Sequence, residues 1–161
     1  MVFSSSRLLQ SMIIFSCLIF SSCKKTDKIL FSYIDSANPQ RGLINMKDAL
    51  KVDYDTAFLF LESTTNKDIE TVLEMPYPRK TFLQDSEYKL ILLRNHEIVY
   101  DNSFYCKRVE FFFYNPKFRQ KKNDVGYIMW TDSIFEVSFI KMQDGSPMYQ
   151  LQPYSDIVDS M

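Results

Sequence analysis

The segment DYDTAFLFLESTTNKDIETVLEM, at positions 53–75, decides the fold. Within it, residues 57–61 (AFLFL) are apolar without interruption, which predicts a buried strand. Thr65 and Asp68 have the spacing of a helix-starting capping box, with Asp in place of the usual Glu. From Ile69 onward, apolar residues recur at i, i+3 and i+4, so one face of the predicted helix is apolar. The segment therefore predicts a strand followed by a short amphipathic helix.

The chain that follows this segment is rich in short strand patterns. Residues 88–93 (YKLILL) and 97–100 (EIVY) flank Asn95 and His96, and this arrangement predicts a hairpin with a tight turn. Connections this short do not allow parallel crossovers, so most strand pairs are expected to be antiparallel. Further strands are predicted at residues 109–114, 127–130, 135–141 and 148–151, with a polar loop at residues 117–124.

The chain before position 53 adds fewer elements. Residues 29–34 (ILFSYI) predict a first strand, and residues 46–50 predict a short helix capped by Asn45. The predicted fold class is α+β, a mainly antiparallel sheet of about seven strands with one or two short helices packed on a face. Because several strands are apolar on both faces, the sheet is expected to be covered on both sides or to curl into a partial barrel.

Composition limits the class of protein. With 161 residues, 46% of them hydrophobic and 16% aromatic, the chain can bury the core of one domain and is unlike a disordered chain. The 19 basic and 20 acidic side chains leave a net charge of −1, which argues against nucleic acid as a partner. Only three glycines are present, so none of the glycine-rich loops that bind phosphate is found. No cofactor is expected.

The first residues of the chain have the pattern of a targeting signal. Arg7 is followed by the apolar run of residues 12–20 (MIIFSCLIF), which is too short for a membrane span of about 20 apolar residues. Two serines and Cys23 come next, and the segment LIFSSC resembles the cleavage site of bacterial lipoprotein signals. Phe20 departs from that family's pattern, which has leucine at this place. The resemblance implies cleavage before Cys23 and a diacylglycerol on its thiol.

This resemblance also implies a location and a division of the chain. A lipid on Cys23 holds the domain on a membrane of the bacterial cell envelope. The outer membrane is favoured over the inner one, because Lys24 and Lys25 are not the aspartate that retains many lipoproteins at the inner membrane. An ordinary secretory signal, which yields a soluble secreted protein, and an uncleaved anchor are the alternatives. The expected divisions are a signal peptide at 1–22, a lipidated tether at 23–28, a single domain at 29–155 and a frayed tail at 156–161.

A second resemblance concerns the domain itself. The segment at 53–75, together with the hairpin YKLILLRNHEIVY, is similar to small uncharacterised bacterial lipoproteins. In those proteins an acidic and aromatic segment leads into a strand, a threonine-capped helix and a hairpin. The similarity supports the α+β class and supplies no catalytic residues. Once the signal is removed, Cys106 is the one thiol left, and it is expected to be a small buried hydrophobe.

Carboxylates give the clearest pattern for catalysis. Asp53 and Asp55 precede the buried strand, and Asp85 and Glu87 precede another strand. If the four meet at one end of the sheet, they offer the acid/base pair of a small envelope hydrolase. Asp53 and Asp55 are also weak candidates for a metal site, although hard cations take more oxygen ligands than two. The more common role of acidic residues at strand ends is to stay solvated, and the single histidine, His96, belongs to a turn.

Two further patterns favour binding over catalysis. A basic run is suited to anionic lipid headgroups, although a solvated loop is its commoner role. Trp130, with Tyr127 nearby, is a candidate aromatic contact surface, whereas core packing is the commoner role of such residues. The functional expectation is a membrane-anchored envelope protein whose domain binds an envelope partner, as an accessory or inhibitor-type factor, without catalysis. The basic run comprises Lys117, Arg119, Lys121 and Lys122.

Overall fold

Nine strands and three short helices form the part of the chain that the computed structural model describes, residues 25–37, 42–79, 82–105, 108–113 and 115–155. Only the backbone is described for residues 25–27 and 37. The helices are α1 (Lys25–Ala37), α2 (Met46–Leu50) and α3 (Asn66–Leu73). The strands are β1 (Gly42–Asn45), β2 (Thr56–Phe60), β3 (Glu87–Arg94), β4 (Glu97–Tyr105), β5 (Val109–Phe111), β6 (Arg119–Lys122), β7 (Val125–Trp130), β8 (Ile134–Lys141) and β9 (Pro147–Pro153).

The strands form two sheets. A five-stranded sheet has the order β4-β3-β2-β7-β6, and every pair in it is antiparallel. A four-stranded sheet has the order β1-β8-β9-β5, in which only β5 and β9 run parallel. The predicted α+β class with mainly antiparallel pairing is confirmed, although the strands divide into two sheets rather than one.

The five-stranded sheet is covered on both faces, as its two-sided apolar strands predicted. Alternate residues of a strand point to opposite faces, so the apolar residues of β2 and β3 enter two separate clusters. The face toward the four-stranded sheet, α1 and α2 carries Ala57, Leu59, Leu90 and Leu92. The face toward α3 carries Phe58, Phe60, Ile91 and Leu93. We call these faces the sheet-facing side and the helix-facing side.

The local signals of the deciding segment are confirmed. The Thr65 backbone N–H donates to Asp68 Oδ2 over 2.8 Å, and the Asp68 N–H faces Thr65 Oγ1 at 3.4 Å, which completes the capping box. Asn45 likewise caps α2, since its side chain accepts from Lys47 N at 2.9 Å. The β3–β4 hairpin turns at Asn95 and His96, as predicted.

The predicted first strand at residues 29–34 is wrong, because these residues belong to α1. Leu30 and Ile34 are separated by one helical turn and are both fully buried against the core. The stretch ILFSYI is too short for its period to distinguish a helix from a strand. Since α1 begins at Lys25, part of the segment predicted as a tether is helical. Cys23, Cys106 and the predicted tail at 156–161 lie outside the described residues.

The predicted polar loop at 117–124 is also wrong, because residues 119–122 form the edge strand β6. Its hydrogen bonds come from β7, and a turn at Asn123 and Asp124 joins the two strands. Charged residues are common on such edges because they discourage pairing with another chain. The predicted strand at 109–114 is shorter, since β5 ends at Phe111.

Candidate functional site

The carboxylates of Asp53 and Asp55 are exposed just before β2, where each is held by nearby donors. Lys47 Nζ lies 2.7 Å from Asp53 Oδ1, and Arg94 Nη1 lies 3.2 Å from Asp53 Oδ2. Asp55 Oδ2 accepts the Asn95 backbone N–H at 2.7 Å, and its Oδ1 accepts the Thr56 hydroxyl at 3.0 Å. Asp53 therefore ties α2 to the β3–β4 hairpin, while Asp55 holds the hairpin turn.

These donors favour the charged form of both groups. The hydrogen bond from Lys47, helped by the charge of Arg94, lowers the pKa of Asp53. The Asn95 amide and the Thr56 hydroxyl lower the pKa of Asp55. Two carboxylates that are both ionised at neutral pH do not provide the protonated partner that an acid/base pair requires.

Asp85 and Glu87 lie at the other end of the same strand pair. β2 and β3 are antiparallel, with Thr56 opposite Leu93 and Phe60 opposite Lys89. Glu87 therefore lies about 20 Å along the strand from the end that carries Asp55. The cluster of four carboxylates that the hydrolase alternative required is not formed, because the two pairs mark opposite ends of the sheet.

Among the described residues, no group of three or more His, Cys, Asp and Glu side chains is placed to hold a metal ion. A small polar cleft of about 230 Å³ is lined by acidic residues, but each of them has another partner. Asp68 belongs to the capping box, Glu62 accepts the Ser86 N–H at 3.0 Å, and Asp124 pairs with Lys121 at 2.9 Å.

The basic run does not form one surface patch. Arg119 and Lys121 are exposed on β6, where Lys121 pairs with Asp124. Lys122 points the other way, pairs with Glu74 and lies 3.4 Å from the carbonyl of Val72 at the end of α3. Lys117 Nζ lies 5.1 Å from the ring centre of Phe118. Strand alternation therefore divides the run between solvent and the C-terminal end of a helix, where a cation is favourable.

Trp130 is part of the core, so its commoner role in packing is confirmed and its candidacy as a surface contact is wrong. It is 2% exposed, and its ring lies 5.2 Å from Phe113 and 5.9 Å from Phe135. The reason is that β7 is an interior strand beside β2, with the indole on the sheet-facing side. Tyr127 lies on the opposite side, half-buried against Phe58. The two aromatic residues therefore do not share a surface.

A buried ion pair was not predicted. Lys89 Nζ lies 2.7 Å from Asp101 Oδ1, and the two side chains are 5% and 4% exposed. The Tyr77 hydroxyl donates to Asp101 Oδ2 over 2.7 Å, and Arg79 Nε lies 3.3 Å from the same oxygen. Both carboxylate oxygens thus have a cationic or hydroxyl partner, which is the condition for burying such a pair. The signal in the sequence is the lysine inside the otherwise apolar stretch YKLILL.

An open groove of about 540 Å³ runs between α1 and α2. It was missed because residues 29–34 were predicted to form a strand. Its apolar lining consists of Ile29 and the nearly buried Ala49 and Leu50, and the exposed Lys28 and Lys51 also line it. Its volume lies within the range of about 300–1,000 Å³ that small-molecule sites occupy. Ser32 and Tyr33 complete the lining.

Helices in the described part of the chain are all too short or too polar to cross a membrane. Comparison of the sequence and the fold with protein families, curated proteins and solved structures found no match. The candidate site therefore rests on geometry and residue chemistry.

Proposed function

We propose that the protein is a lipoprotein of the bacterial cell envelope, anchored by a lipid on Cys23, whose α+β domain binds a partner at the membrane surface without catalysis. The observation that carries this proposal is the N-terminal pattern: Arg7, the apolar run at 12–20, two serines and then Cys23. The two lysines that follow favour the outer membrane.

The position of α1 supports an anchored domain. The helix begins at Lys25, two residues after Cys23, and its Leu30 and Ile34 are fully buried. Because an extended residue spans at most about 3.5 Å, a lipid on Cys23 holds the start of this helix within about 10 Å of the bilayer surface. Such confinement raises the effective concentration of the domain toward partners in the same membrane.

The carboxylates support binding rather than hydrolysis. The two pairs that a hydrolase would combine lie at opposite ends of β2 and β3. Asp53 and Asp55 hold Lys47, Arg94 and the hairpin turn in place, which gives them a structural role. We therefore propose an accessory or inhibitor-type partner binder in place of the small envelope hydrolase.

Fatty-acid labelling tests the anchor. The full chain, produced in a bacterium that processes lipoproteins, is grown with a labelled fatty acid, and the mature protein is analysed by intact mass and membrane fractionation. Cys23→Ala is expected to lose the label and the membrane association. Cys17→Ala and Cys106→Ala are matched controls. Each removes one thiol and is expected to keep the label and the membrane association.

Each alternative has a distinct result. A mature protein that begins near residue 23 without lipid and fractionates as soluble would contradict the anchor and indicate an ordinary secretory signal. Equal labelling of Cys23→Ala and the parent would contradict lipidation at this residue. Retention of residues 1–22 would indicate an uncleaved anchor and would also contradict the proposal.

A further inference from the structure

We infer that the groove between α1 and α2 binds an anionic phospholipid of the anchoring membrane, with an acyl chain along Ile29, Ala49 and Leu50 and the phosphate between Lys28 and Lys51. This inference rests on the proposed function, because the lipid on Cys23 is what brings the groove to the bilayer.

The first argument is the position of the groove relative to the anchor. Lys28 lies five residues after Cys23, and from Lys25 onward the chain is helical. Two extended residues and three helical ones span at most about 12 Å. Lys28 and Ile29, which both line the groove, therefore lie within a short distance of a lipid on Cys23.

The second argument is the chemistry of the walls. Ile29 is 37% exposed and provides most of the accessible apolar side chain in the groove, whose floor is formed by the nearly buried Ala49 and Leu50. A single exposed isoleucine is ordinary, but one placed in an apolar groove gives an acyl chain a surface to lie against. Tyr33, half-buried in the same lining, has the apolar ring and polar hydroxyl that favour the membrane interface.

The third argument is charge. Lys28 and Lys51 have no ion-pair partner among the described residues, whereas the neighbouring Lys47 is paired with Asp53. Lys51, which also lines the groove, directly follows α2 in a left-handed conformation with φ 56°. Two uncompensated cations beside an apolar groove complement a phosphate that carries an acyl chain.

The test uses the mature protein made from the full chain and reconstituted in vesicles. The bulk lipid of the vesicles is phosphatidylcholine, either without or with unlabelled phosphatidylglycerol. Both vesicle types also carry a trace of phosphatidylglycerol with a photoreactive acyl chain, which is the probe. After illumination, the cross-linked residues are located by mass spectrometry. We expect cross-links at residues 28–33 and 49–51, and a lower yield when bulk phosphatidylglycerol is present, because the unlabelled lipid competes with the trace probe for the groove.

Two matched pairs of variants separate the groove from general effects. Lys28→Glu with Lys51→Glu is expected to lower the groove cross-links at least about tenfold, because each basic residue strengthens attraction to an anionic surface. Arg119→Glu with Lys121→Glu changes the net charge equally and is expected to leave the yield within about twofold. The yield of groove cross-links in Ile29→Glu is compared with the yield in Ile140→Glu, which alters an isoleucine of similar exposure on β8. Thermal unfolding of each variant verifies that it folds.

Three results would overturn the inference. The first is a groove cross-link yield that is unchanged in the Lys28→Glu with Lys51→Glu variant. The second is cross-linking at residues 117–122 in place of the groove, and the third is an equal yield in vesicles with and without bulk phosphatidylglycerol. Intact mass of the same preparation reports the lipid on Cys23 independently. A protein without that lipid contradicts the proposed function, whereas a lipidated protein with an unlabelled groove contradicts this inference alone.

Discussion

The two sides of the five-stranded sheet are built differently, although the same strands supply both. The sheet-facing side is a broad aromatic core in which Phe111, Trp130 and Phe135 lie with ring centres 5.8–6.1 Å apart. The helix-facing side has a smaller apolar cluster and, at its margin, the buried pair Lys89–Asp101. Alternate residues of β3 therefore enter an apolar core on one side and a cluster bordered by charges on the other.

The difference follows from what covers each side. A second sheet and two helices cover the first, whereas the eight-residue helix α3 is the helix on the second. Such a helix is about 12 Å long, while the eight residues of β3 span about 26 Å. Tyr77 and Arg79, which follow α3, cover the remainder with polar groups that bind Asp101. Because α3 covers only part of the helix-facing side, polar groups form the margin of that side.

The largest expected effect comes from breaking the charged margin. Asp101→Ala leaves Lys89 buried without its carboxylate, so we expect a loss of about 3–5 kcal/mol in the free energy of unfolding. Denaturant unfolding followed by circular dichroism measures it. Lys89→Met with Asp101→Leu removes both charges and is expected to recover most of the loss. A cost below about 1 kcal/mol for Asp101→Ala would contradict the view that this pair closes the helix-facing side.

A matched pair of truncations compares the apolar parts of the two sides. Leu90 and Ile91 are adjacent and fully buried, but they point to opposite faces. Replacing either with alanine is expected to cost about 2–5 kcal/mol. Leu90→Ala should cost about 1 kcal/mol more than Ile91→Ala, because a core between two sheets relaxes less around a cavity than one under a short helix. Denaturant unfolding measures both losses. A larger loss for Ile91→Ala than for Leu90→Ala would contradict the explanation from the elements that cover each side.

Patterns among neighbouring residues predicted individual elements of the fold, whereas the features that were missed depend on more than such short patterns. The capping box at Thr65 and Asp68 and the turn at Asn95 and His96 depend on neighbours in the chain, and both were predicted correctly. α1 was mistaken for a strand because six residues carry too little periodicity to decide. β6 was missed because its strand character comes from pairing with β7 rather than from its own polar side chains.

The candidate site was harder to predict than the fold for the same reason. The hydrolase alternative required the four carboxylates to meet, and only the register of β2 on β3 shows that they are separated. The pair Lys89–Asp101 depends on the hairpin register, which places Lys89 opposite Ser103 and Asp101 opposite Ile91. The groove depends on how α1 lies against α2, for which no residue pattern gave a signal.

High pH offers a milder test of the sheet-facing side. Burial raises the pKa of Tyr54 to about 12, and its hydroxyl donates to the carbonyl of Asp132 over 2.8 Å. Because this pKa is above the unfolded value of about 10, the contribution of Tyr54 to the free energy of unfolding is intact below pH 10 and falls as the pH rises toward 12. By pH 11 the loss should be about 1 kcal/mol. Tyr54→Phe should lack this part of the alkaline loss in denaturant titrations at pH 8 and pH 11, and an unchanged pH dependence would contradict it.

The smallest expected effect comes from the turn that sets the register for both sides. The chain has only three glycines, and positions that favour glycine are occupied by other residues, including Asn95 and His96 with φ of 51° and 63°. A left-handed residue with a side chain is strained, and Asn-Gly is the preferred pair in such a turn. His96→Gly is therefore expected to raise the free energy of unfolding by about 0.5 kcal/mol. Val99→Gly, in the strand beside it, should lower the free energy by a similar amount. If the turn sets only the register, the Leu90→Ala cost should be the same in the His96→Gly background, whereas a changed cost would show that the turn also affects packing on the sheet-facing side.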